Sequence, residues 1–147
     1  MRVCIVSSCG GHLTEVRSLL PCYKKYNYYY VLNKRVVLSD EMVGKTHFIS
    51  HSERDWKLFV NLFQAFIILK RNTPAVIISC GAGPIVPFAL IGRLIFRVKI
   101  IYIETAAQIR EPSLTGRIMK YLAHHLYYQW PSLKPFFPDG KYLGLID

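Results

Sequence analysis

The sequence predicts an α/β fold, in which a mostly parallel β-sheet carries helices on both of its faces. Short runs rich in β-branched and aromatic residues alternate regularly with longer segments whose apolar residues recur at helical spacing. The run over residues 74–80 is almost entirely apolar, which is typical of a strand buried within a parallel sheet. In such folds a ligand binds beyond the carboxyl ends of the strands, so the loops at that edge are the first candidates for a site.

The first half of the chain opens this alternation. Its strands are predicted over residues 2–7, 26–33 and 46–50. The helix after the first strand is indicated by apolar residues at helical spacing: Leu13, Val16, Leu19 and Tyr23. We expect Pro21 to shorten this helix, since proline lacks the amide hydrogen that an α-helix needs. A long and strongly apolar helix is predicted from Glu53 to about Arg71.

The second half continues the pattern to the end of the chain. Further strands are predicted over residues 74–80, 99–104, 126–130 and 141–145. Helices are predicted over residues 85–95 and near 114–125. The second of these helices has an apolar face made of Leu114, Ile118, Tyr121 and Leu122. A length of 147 residues suits one core, so residues 1–147 are predicted to form a single domain.

The charge of the chain indicates ligands that carry phosphate. Nineteen Lys and Arg residues against nine Asp and Glu residues give a net charge of +10. Such a charge attracts the phosphates of nucleic acids, lipid head groups or nucleotides, and does not distinguish among them. A basic nucleic-acid-binding α/β domain is therefore an alternative. Against it, the Lys and Arg residues are scattered, and the sequence has no recognisable nucleic-acid motif or basic helix.

The cysteines do not indicate a metal site. Neither CxxC nor a Cys/His pair at metal-ligand spacing occurs around Cys4, Cys9, Cys22 or Cys80. We interpret Cys9 and Cys80 as small packing residues. No signal peptide with a cleavage site precedes the first strand, so we expect a reducing cytoplasm. The most apolar run, residues 84–103, does not fit a membrane span of about 20 mostly apolar residues, because basic residues interrupt it.

Three loops fall at the predicted ligand-binding edge, because each follows a strand and precedes a helix. They are SSCGGH (7–12), SCGAGP (79–84) and ETAAQIREPS (104–113). Adjacent glycines allow the backbone to approach a ligand closely, and free N–H groups at the start of a helix attract anions. A tight turn is the plain alternative for Gly10 and Gly11. Two glycine loops at one edge favour a phosphate site over that alternative.

Two ionisable residues of these loops are candidates for chemistry. His12 opens the first helix, where an imidazole either handles a proton or a phosphate, or only caps the helix or faces solvent. Glu104 ends a strand, which favours a ligand contact over an ion pair with Arg110 or Lys99. Both residues are therefore predicted to lie at the mouth of the site.

No nucleotide cofactor is predicted. A GxGxxG fingerprint would need glycine where the chain has Cys9 or Thr14, and again at Val86. The second strand ends in an asparagine and two basic residues, 33–35, rather than in an acid that would hold a ribose hydroxyl. The phosphate loop GxxxxGK[ST] is also absent. An NAD enzyme and a Walker-type ATPase are both disfavoured.

Four blocks of the sequence, taken in order, resemble a known family. The blocks are SSCGGHLTEV, SCGAGPIVPFALIGRL, YIETAAQIREPSLTGRIMKYLAHH and YLGLI. They are similar to the accessory subunit of split lipid-linked oligosaccharide glycosyltransferases. That family includes the membrane-recruiting subunit of the eukaryotic dolichol-pathway N-acetylglucosamine transferase and bacterial relatives in capsule and exopolysaccharide synthesis. The blocks also resemble the amino-terminal half of the GT-B transferase that adds N-acetylglucosamine to the peptidoglycan lipid precursor.

The resemblance implies a Rossmann-like domain equivalent to the amino-terminal, acceptor-binding half of a GT-B enzyme. It also implies roles for residues of the three loops. The residues implied to bind the diphosphate of a polyprenyl-diphosphate-linked saccharide acceptor are Gly10, Gly11, Gly81, Gly83 and Arg110. His12 and Glu104 would face the reaction centre as catalytic residues, one of them as a base. No cofactor or metal is implied.

The resemblance further implies a partner and a location. A separate catalytic subunit would carry the domain that binds the UDP-sugar, and this chain is expected to be inactive without it. Residues 1–5 cannot supply the amino-terminal anchor of the eukaryotic relatives. We therefore expect peripheral attachment at the cytoplasmic face of the plasma membrane, with no binding of nucleic acid.

The helix over residues 58–69 is the expected membrane contact. One side is made of Leu58, Leu62, Ala65 and Leu69, and much of the rest is made of Phe59, Phe63, Phe66 and Ile67. The sheet can cover only part of this apolar surface. Basic side chains nearby, at Arg93, Arg97 and Lys99, would attract anionic lipid. Burial between the sheet and a partner subunit is the alternative.

Overall fold

A parallel β-sheet of seven strands forms the centre of the computed structural model, which describes residues 1–33, 37–51 and 56–146. Within those residues the strands are β1 (Arg2–Ser7), β2 (Asn27–Leu32), β3 (Thr46–Phe48), β4 (Val76–Ser79), β5 (Lys99–Ile103), β6 (His125–Tyr128) and β7 (Lys141–Tyr142). Their order is β3-β2-β1-β4-β5-β6-β7, and all neighbouring pairs are parallel. The carboxyl ends of the strands therefore share one edge of the sheet.

Helices cover both faces of the sheet, as the sequence predicts. They are α1 (Gly11–Ser18), α2 (Leu20–Tyr23), α3 (Lys57–Asn72), α4 (Ile85–Leu94) and α5 (Leu114–Leu122), with short 3₁₀ helices at Asp40–Met42 and Pro131–Leu133. Side chains of α3, α4 and α5 pack into one apolar cluster, and side chains of α1 and α2 pack into another. The sheet separates the two clusters.

The alternation of side chains along β1 shows how both faces are filled. Cys4 and Val6 pack with α3, α4 and α5, whereas Val3 and Ile5 pack with α1 and α2. Successive residues of a strand point to opposite faces, so a strand buried on both sides must be apolar throughout. This requirement accounts for the continuous apolar runs from which the parallel sheet was predicted.

Local chemistry explains where two of the helices begin. Pro21 lies in the first turn of α2, where its missing N–H is not needed, and the predicted first helix is thereby divided into α1 and α2. Ser113 precedes α5, and its side chain accepts a hydrogen bond from the Gly116 amide. The prediction that Pro21 shortens the first helix is confirmed.

The predicted elements are found close to their expected positions, with two differences. Helix α5 ends at Leu122, three residues before its predicted end, because β6 already begins at His125. The apolar face predicted for α5 is turned to solvent, with Leu114, Ile118 and Tyr121 exposed. The predicted start of the long helix at Glu53 lies outside the described residues. In the described parts of the chain, no helix is long and apolar enough to span a membrane.

Candidate functional site

Three loops meet at the carboxyl edge of the sheet, as predicted. The β1–α1 loop (8–10), the β4–α4 loop (80–84) and the β5–α5 loop (104–113) follow three strands that are consecutive in the sheet. Neighbouring strands of a sheet lie about 4.8 Å apart. One ligand can therefore touch all three loops.

The glycines of the β1–α1 loop leave space around the start of α1. Gly10 precedes α1 with a φ of 106°, a conformation that residues with a Cβ rarely adopt. A methyl group built at Gly10 or at Gly11 would meet nothing within 4 Å. Among the described residues no side chain caps α1 at Gly10. The first N–H groups of α1 can therefore bind an anion, and there is space for one.

The β4–α4 loop shares the positive φ and the open space of the first loop. Gly81 has a φ of 107° and Ala82 a φ of 74°. A methyl group built at Gly83 would meet nothing within 4 Å. Helix α4 follows Pro84, but its first amides are engaged, because Ile85 donates to the Ala82 carbonyl and Val86 to the Gly83 carbonyl, and Pro87 has no N–H. The amino ends of α1 and α4 thus point to the same edge, where α1 offers amides to a phosphate and α4 offers only the partial positive charge of its end.

His12 lies between these two loops. Its Nδ1 is 3.0 Å from the carbonyl oxygen of Cys80, so Nδ1 carries a hydrogen and donates it. In the neutral ring the lone pair is then on Nε2, which can accept a proton and, once protonated, donate to a phosphate. Gly81 makes room for the ring, because a methyl group there would lie 2.8 Å from it. The structure thus brings His12 and the second glycine loop into contact.

Glu104 is completely buried beneath the β5–α5 loop. Its Oε1 accepts hydrogen bonds from the Ser113 hydroxyl at 2.8 Å and from the Thr105 amide at 3.2 Å. Its Oε2 has no hydrogen-bond partner among the described residues. Burial raises the pKa of Glu104, and hydrogen bonds to the carboxylate and the nearby His12 partly oppose that rise. A methyl group at Gly116 would overlap Oε2, so glycine is needed at this position of α5.

The contacts of Glu104 differ from both alternatives that the sequence suggested. Within the described chain its carboxylate bonds to Ser113 and Thr105, and not to Arg110 or Lys99, which are both exposed. Ser113 in turn caps α5. Glu104 therefore holds the residue that begins α5, and it does not reach the surface where a ligand would lie.

The β5–α5 loop is held from two sides by contacts that the sequence did not reveal. Oε1 of Glu15, in α1, accepts hydrogen bonds from the Thr105 hydroxyl at 3.0 Å and from the Ala106 amide at 2.8 Å. On the other side, the indole Nε1 of Trp130 donates to the Ala106 carbonyl at 2.7 Å. The backbone of this loop is thus fixed where it leaves β5.

Arg110 lies further along the same loop and is exposed. Beside it, the carbonyl of Ile109 accepts a hydrogen bond from the Ser132 hydroxyl. An exposed guanidinium on an anchored loop is well suited to bind a phosphate, because its donors match two phosphate oxygens at once. Arg110 therefore belongs to the same edge as the glycine loops.

The loop cysteines fill space, which confirms their interpretation as packing residues. Cys80 is buried, and that burial raises the pKa of its thiol. Cys9 packs against the apolar cluster on the α1 face. In the parts of the chain that the structure describes, no three His, Cys, Asp or Glu side chains are grouped to hold a metal ion.

Comparison with known proteins adds a family to this geometry. Residues 42–146 match the family described as "Oligosaccharide biosynthesis protein Alg14 like". The chain belongs to the Alg14-like family. The UDP-N-acetylglucosamine transferase subunit ALG14 of Mus musculus is 28% identical over 182 aligned residues, which cover 99% of this chain and 83% of the mouse protein. The ALG14 subunit of Candida albicans is 36% identical over 90 residues, or 58% of this chain and 41% of that protein.

Solved structures confirm the fold class of this Alg14-like chain. MurG of Acinetobacter baumannii superposes with a TM-score of 0.78 at 13% identity, covering 99% of this chain and 46% of MurG. The UDP-N-acetylglucosamine 2-epimerase of Rickettsia bellii superposes with a TM-score of 0.77 at 9% identity, covering 98% and 44%. The Alg14-like chain thus spans less than half of each structure, and its fold is the Rossmann-like half of a GT-B glycosyltransferase.

Proposed function

We propose that this Alg14-like chain is the acceptor-binding subunit of a two-component glycosyltransferase. The acceptor is a saccharide linked through a diphosphate to a polyprenyl lipid. A separate catalytic subunit binds the UDP-sugar, and the product is a capsular or extracellular polysaccharide. Membership of the Alg14-like family supports the general assignment to oligosaccharide biosynthesis.

The observation that carries this proposal is the pair of open glycine loops at one edge. The amino ends of α1 and α4 have no side-chain cap among the described residues, and methyl groups built at Gly10, Gly11 and Gly83 would meet nothing within 4 Å. The first amides of α1 suit one phosphate of a diphosphate, and the partial positive charge at the amino end of α4 favours the second. Arg110 adds a positive charge at the same edge, and the net charge of +10 attracts the anion.

His12 and Glu104 receive different roles in this proposal. Nε2 of His12 is the base candidate, since Nδ1 is occupied by the Cys80 carbonyl. Glu104 is buried, so it acts through its neighbours. Its bond to Ser113 fixes the start of α5. His12 would thus take a proton from the acceptor hydroxyl, while Glu104 fixes the end of the loop that leads into α5.

The need for a catalytic partner is supported by the comparisons. The mouse and Candida albicans relatives are named as transferase subunits. The superposition on MurG covers 46% of that chain, so the fold described here corresponds to a part of such a protein. We therefore expect sugar transfer to depend on a second subunit that supplies the UDP-sugar.

An exposed part of α3 supports peripheral attachment to the cytoplasmic face of the plasma membrane. Trp56, just before α3, and Phe59 and Phe63 within it are exposed by 70%, 75% and 66%. Phe66 differs, because its ring packs against Phe96 at 5.5 Å and is half-buried. The aromatic side chains at positions 56, 59 and 63 can insert into a bilayer without disturbing the core.

Basic residues on the same side of the sheet add electrostatic attraction. Lys70 and Arg71 are exposed at the end of α3, and Arg97 is exposed after α4. Each such residue near an anionic membrane surface contributes about 1 kcal/mol at low salt. A few of them together with the aromatic side chains give reversible binding. Family membership favours this account over a nucleic-acid-binding domain.

Reconstitution tests the proposed function. The chain is co-expressed with the glycosyltransferase encoded next to it, and the two are purified through a tag on one of them. We expect co-purification, and transfer of a labelled sugar from UDP to a polyprenyl-diphosphate acceptor by the pair but not by either chain alone. Transfer by this chain alone, at a rate that no partner changes, would contradict the proposal.

A further inference from the structure

One side of α1 connects two loops of the candidate site. His12 donates from Nδ1 to the Cys80 carbonyl in the β4–α4 loop. Glu15 accepts from the Thr105 hydroxyl and the Ala106 amide in the β5–α5 loop. Residues three apart lie on the same side of an α-helix. A single turn of α1 therefore sets the distance between these two loops.

The contact made by Glu15 fixes backbone rather than side chain alone. Its Oε1 lies 2.8 Å from the amide nitrogen of Ala106, two residues after Glu104. A hydrogen bond from an amide to a carboxylate is shorter and stronger than one between neutral groups. The carbonyl of Ala106 is held from the other side by Trp130. The peptide groups on either side of Ala106 are thus fixed between α1 and the segment that follows β6.

The second carboxylate oxygen of Glu15 argues against a purely structural role for this residue. Oε2 is buried and has no hydrogen-bond partner among the described residues. A buried carboxylate oxygen without a partner costs folding free energy, and an apolar residue at this position would avoid that cost. A carboxylate is nevertheless present, three residues from His12. We therefore infer that the carboxylate serves the geometry of the site.

We propose that Glu15 is a positioning residue for the lipid-linked acceptor. It holds the β5–α5 loop, which carries Arg110, at a fixed distance from His12 and the glycine loops. Arg110 and the helix amino ends then lie close enough to bind the same diphosphate. The kinetic part of this inference rests on the proposed function, whereas the structural part concerns this chain alone.

Hydrogen exchange measures the structural part on the purified chain. In Glu15→Ala the Ala106 amide loses its acceptor, and we expect it to exchange about 10- to 100-fold faster than in the wild type. Glu15→Gln keeps an oxygen that can accept both bonds, so its exchange is expected to stay within about threefold of the wild type. Glu41→Ala is the matched control, since Glu41 also bonds to α1, through Arg17, but away from the loops. Glu41→Ala should leave the exchange rate of the Ala106 amide unchanged.

Kinetics of the reconstituted pair measure the effect on the acceptor. We expect Glu15→Ala to lower kcat/KM for the lipid acceptor by about 10- to 100-fold, chiefly through KM, because a loop that is misplaced by about 1 Å binds its ligand poorly. The KM for the UDP-sugar should not change. A variant that is merely less stable would instead lower the active fraction, and so kcat, at constant KM. Glu15→Gln should restore the acceptor KM.

Three results would overturn the inference. They are unchanged Ala106 exchange in folded Glu15→Ala, an unchanged acceptor KM, or a Glu15→Gln variant as impaired as Glu15→Ala. If Glu15→Ala does not fold, Thr105→Val removes one of the two bonds while Ala106 keeps its acceptor, and we expect effects of the same direction but smaller size on Ala106 exchange and on the acceptor KM. If the wild-type pair shows no transfer, the proposed function fails, and the exchange data alone decide whether Glu15 positions the loop.

Discussion

Replacing Gly81 with alanine is expected to displace His12, and two features of the structure set the cost. The φ of 107° at Gly81 costs a residue with a Cβ about 1–3 kcal/mol. The new methyl group would lie 2.8 Å from the His12 ring, so the ring must move. Loss of its hydrogen bond to the Cys80 carbonyl adds about 0.5–1.5 kcal/mol. Together the free energy of unfolding should fall by about 2–4 kcal/mol.

Two other glycines separate these contributions. Gly10 has nearly the same φ, 106°, but open space around it, so Gly10→Ala should lose about 1–3 kcal/mol from backbone strain alone. Gly83 lacks the positive φ and is also open, so Gly83→Ala should stay within about 0.5 kcal/mol of the wild type. Urea unfolding measures all three variants, and NMR of the His12 ring reports its displacement. If Gly81→Ala loses no more than Gly10→Ala and the His12 resonances do not move, the reasoning is refuted.

The remaining predictions concern activity, pH and membrane binding. In the reconstituted pair, His12→Ala should lower kcat by about 10²- to 10⁴-fold while the chain stays folded, as measured by transfer of labelled sugar. Glu104→Ala should lower kcat by less, because Glu104 is buried and acts only through its neighbours. Burial raises the pKa of Glu104 above its ordinary value of 4.5, so its favourable contribution is present at low pH and is lost as pH rises through the raised pKa. Glu104→Gln should therefore gain stability relative to the wild type as the pH rises above 4.5, as measured by urea unfolding. Replacing Phe59 and Phe63 together with glutamate should weaken binding to anionic vesicles at least about tenfold, as measured by co-sedimentation.

Each of these predictions has a control. His125→Ala changes an exposed histidine at the opposite edge of the sheet, where β6 begins, and should keep full activity. Val43→Glu places a charge at an exposed apolar residue that follows Met42, a member of the core cluster on the α1 face, and should not affect vesicle binding. Full activity of both the His12 and the Glu104 variant would make these residues structural. A pH-independent effect of Glu104→Gln, or vesicle binding that ignores anionic lipid, would contradict the other two predictions.

The order of the strands and helices could be predicted because burial on both faces leaves a strong pattern. Residues 74–80 show it, since β4 lies between β1 and β5 and is covered by helices. The early end of α5 could not be predicted in this way. His124 donates its amide to the Ile100 carbonyl and accepts from the Ile100 amide through Nδ1. That pairing with a strand more than twenty residues away stops the helix, and no local pattern encodes it.

The orientation of α5 was also beyond sequence reasoning. An apolar stripe predicts which residues share a face, but not which face meets the sheet. Here the helix packs through Gly116 and Met119, and it comes close to the sheet because glycine leaves space for the Glu104 carboxylate. The stripe of Leu114, Ile118 and Tyr121 therefore faces outward.

The candidate site was only partly predictable for a related reason. Gly10, Gly81 and Glu104 follow strands that are neighbours in a parallel sheet, so topology alone brought their loops together. The roles of Glu15 and Trp130 depend on bonds to backbone atoms of Ala106, which are about 90 and 24 residues away in the chain. A backbone acceptor or donor has no side-chain signature, and so such anchors are visible only in three dimensions.

Direct binding of the acceptor tests the central claim most directly. The purified chain is titrated with a saccharide carried on polyprenyl diphosphate in detergent micelles, and in parallel with the same saccharide on polyprenyl monophosphate. We expect saturable binding that is at least about tenfold tighter for the diphosphate, because the first amides of α1, the positive end of α4 and the Arg110 guanidinium together attract two phosphates. Equal binding of both lipids, or binding of duplex RNA in preference to either, would contradict the account.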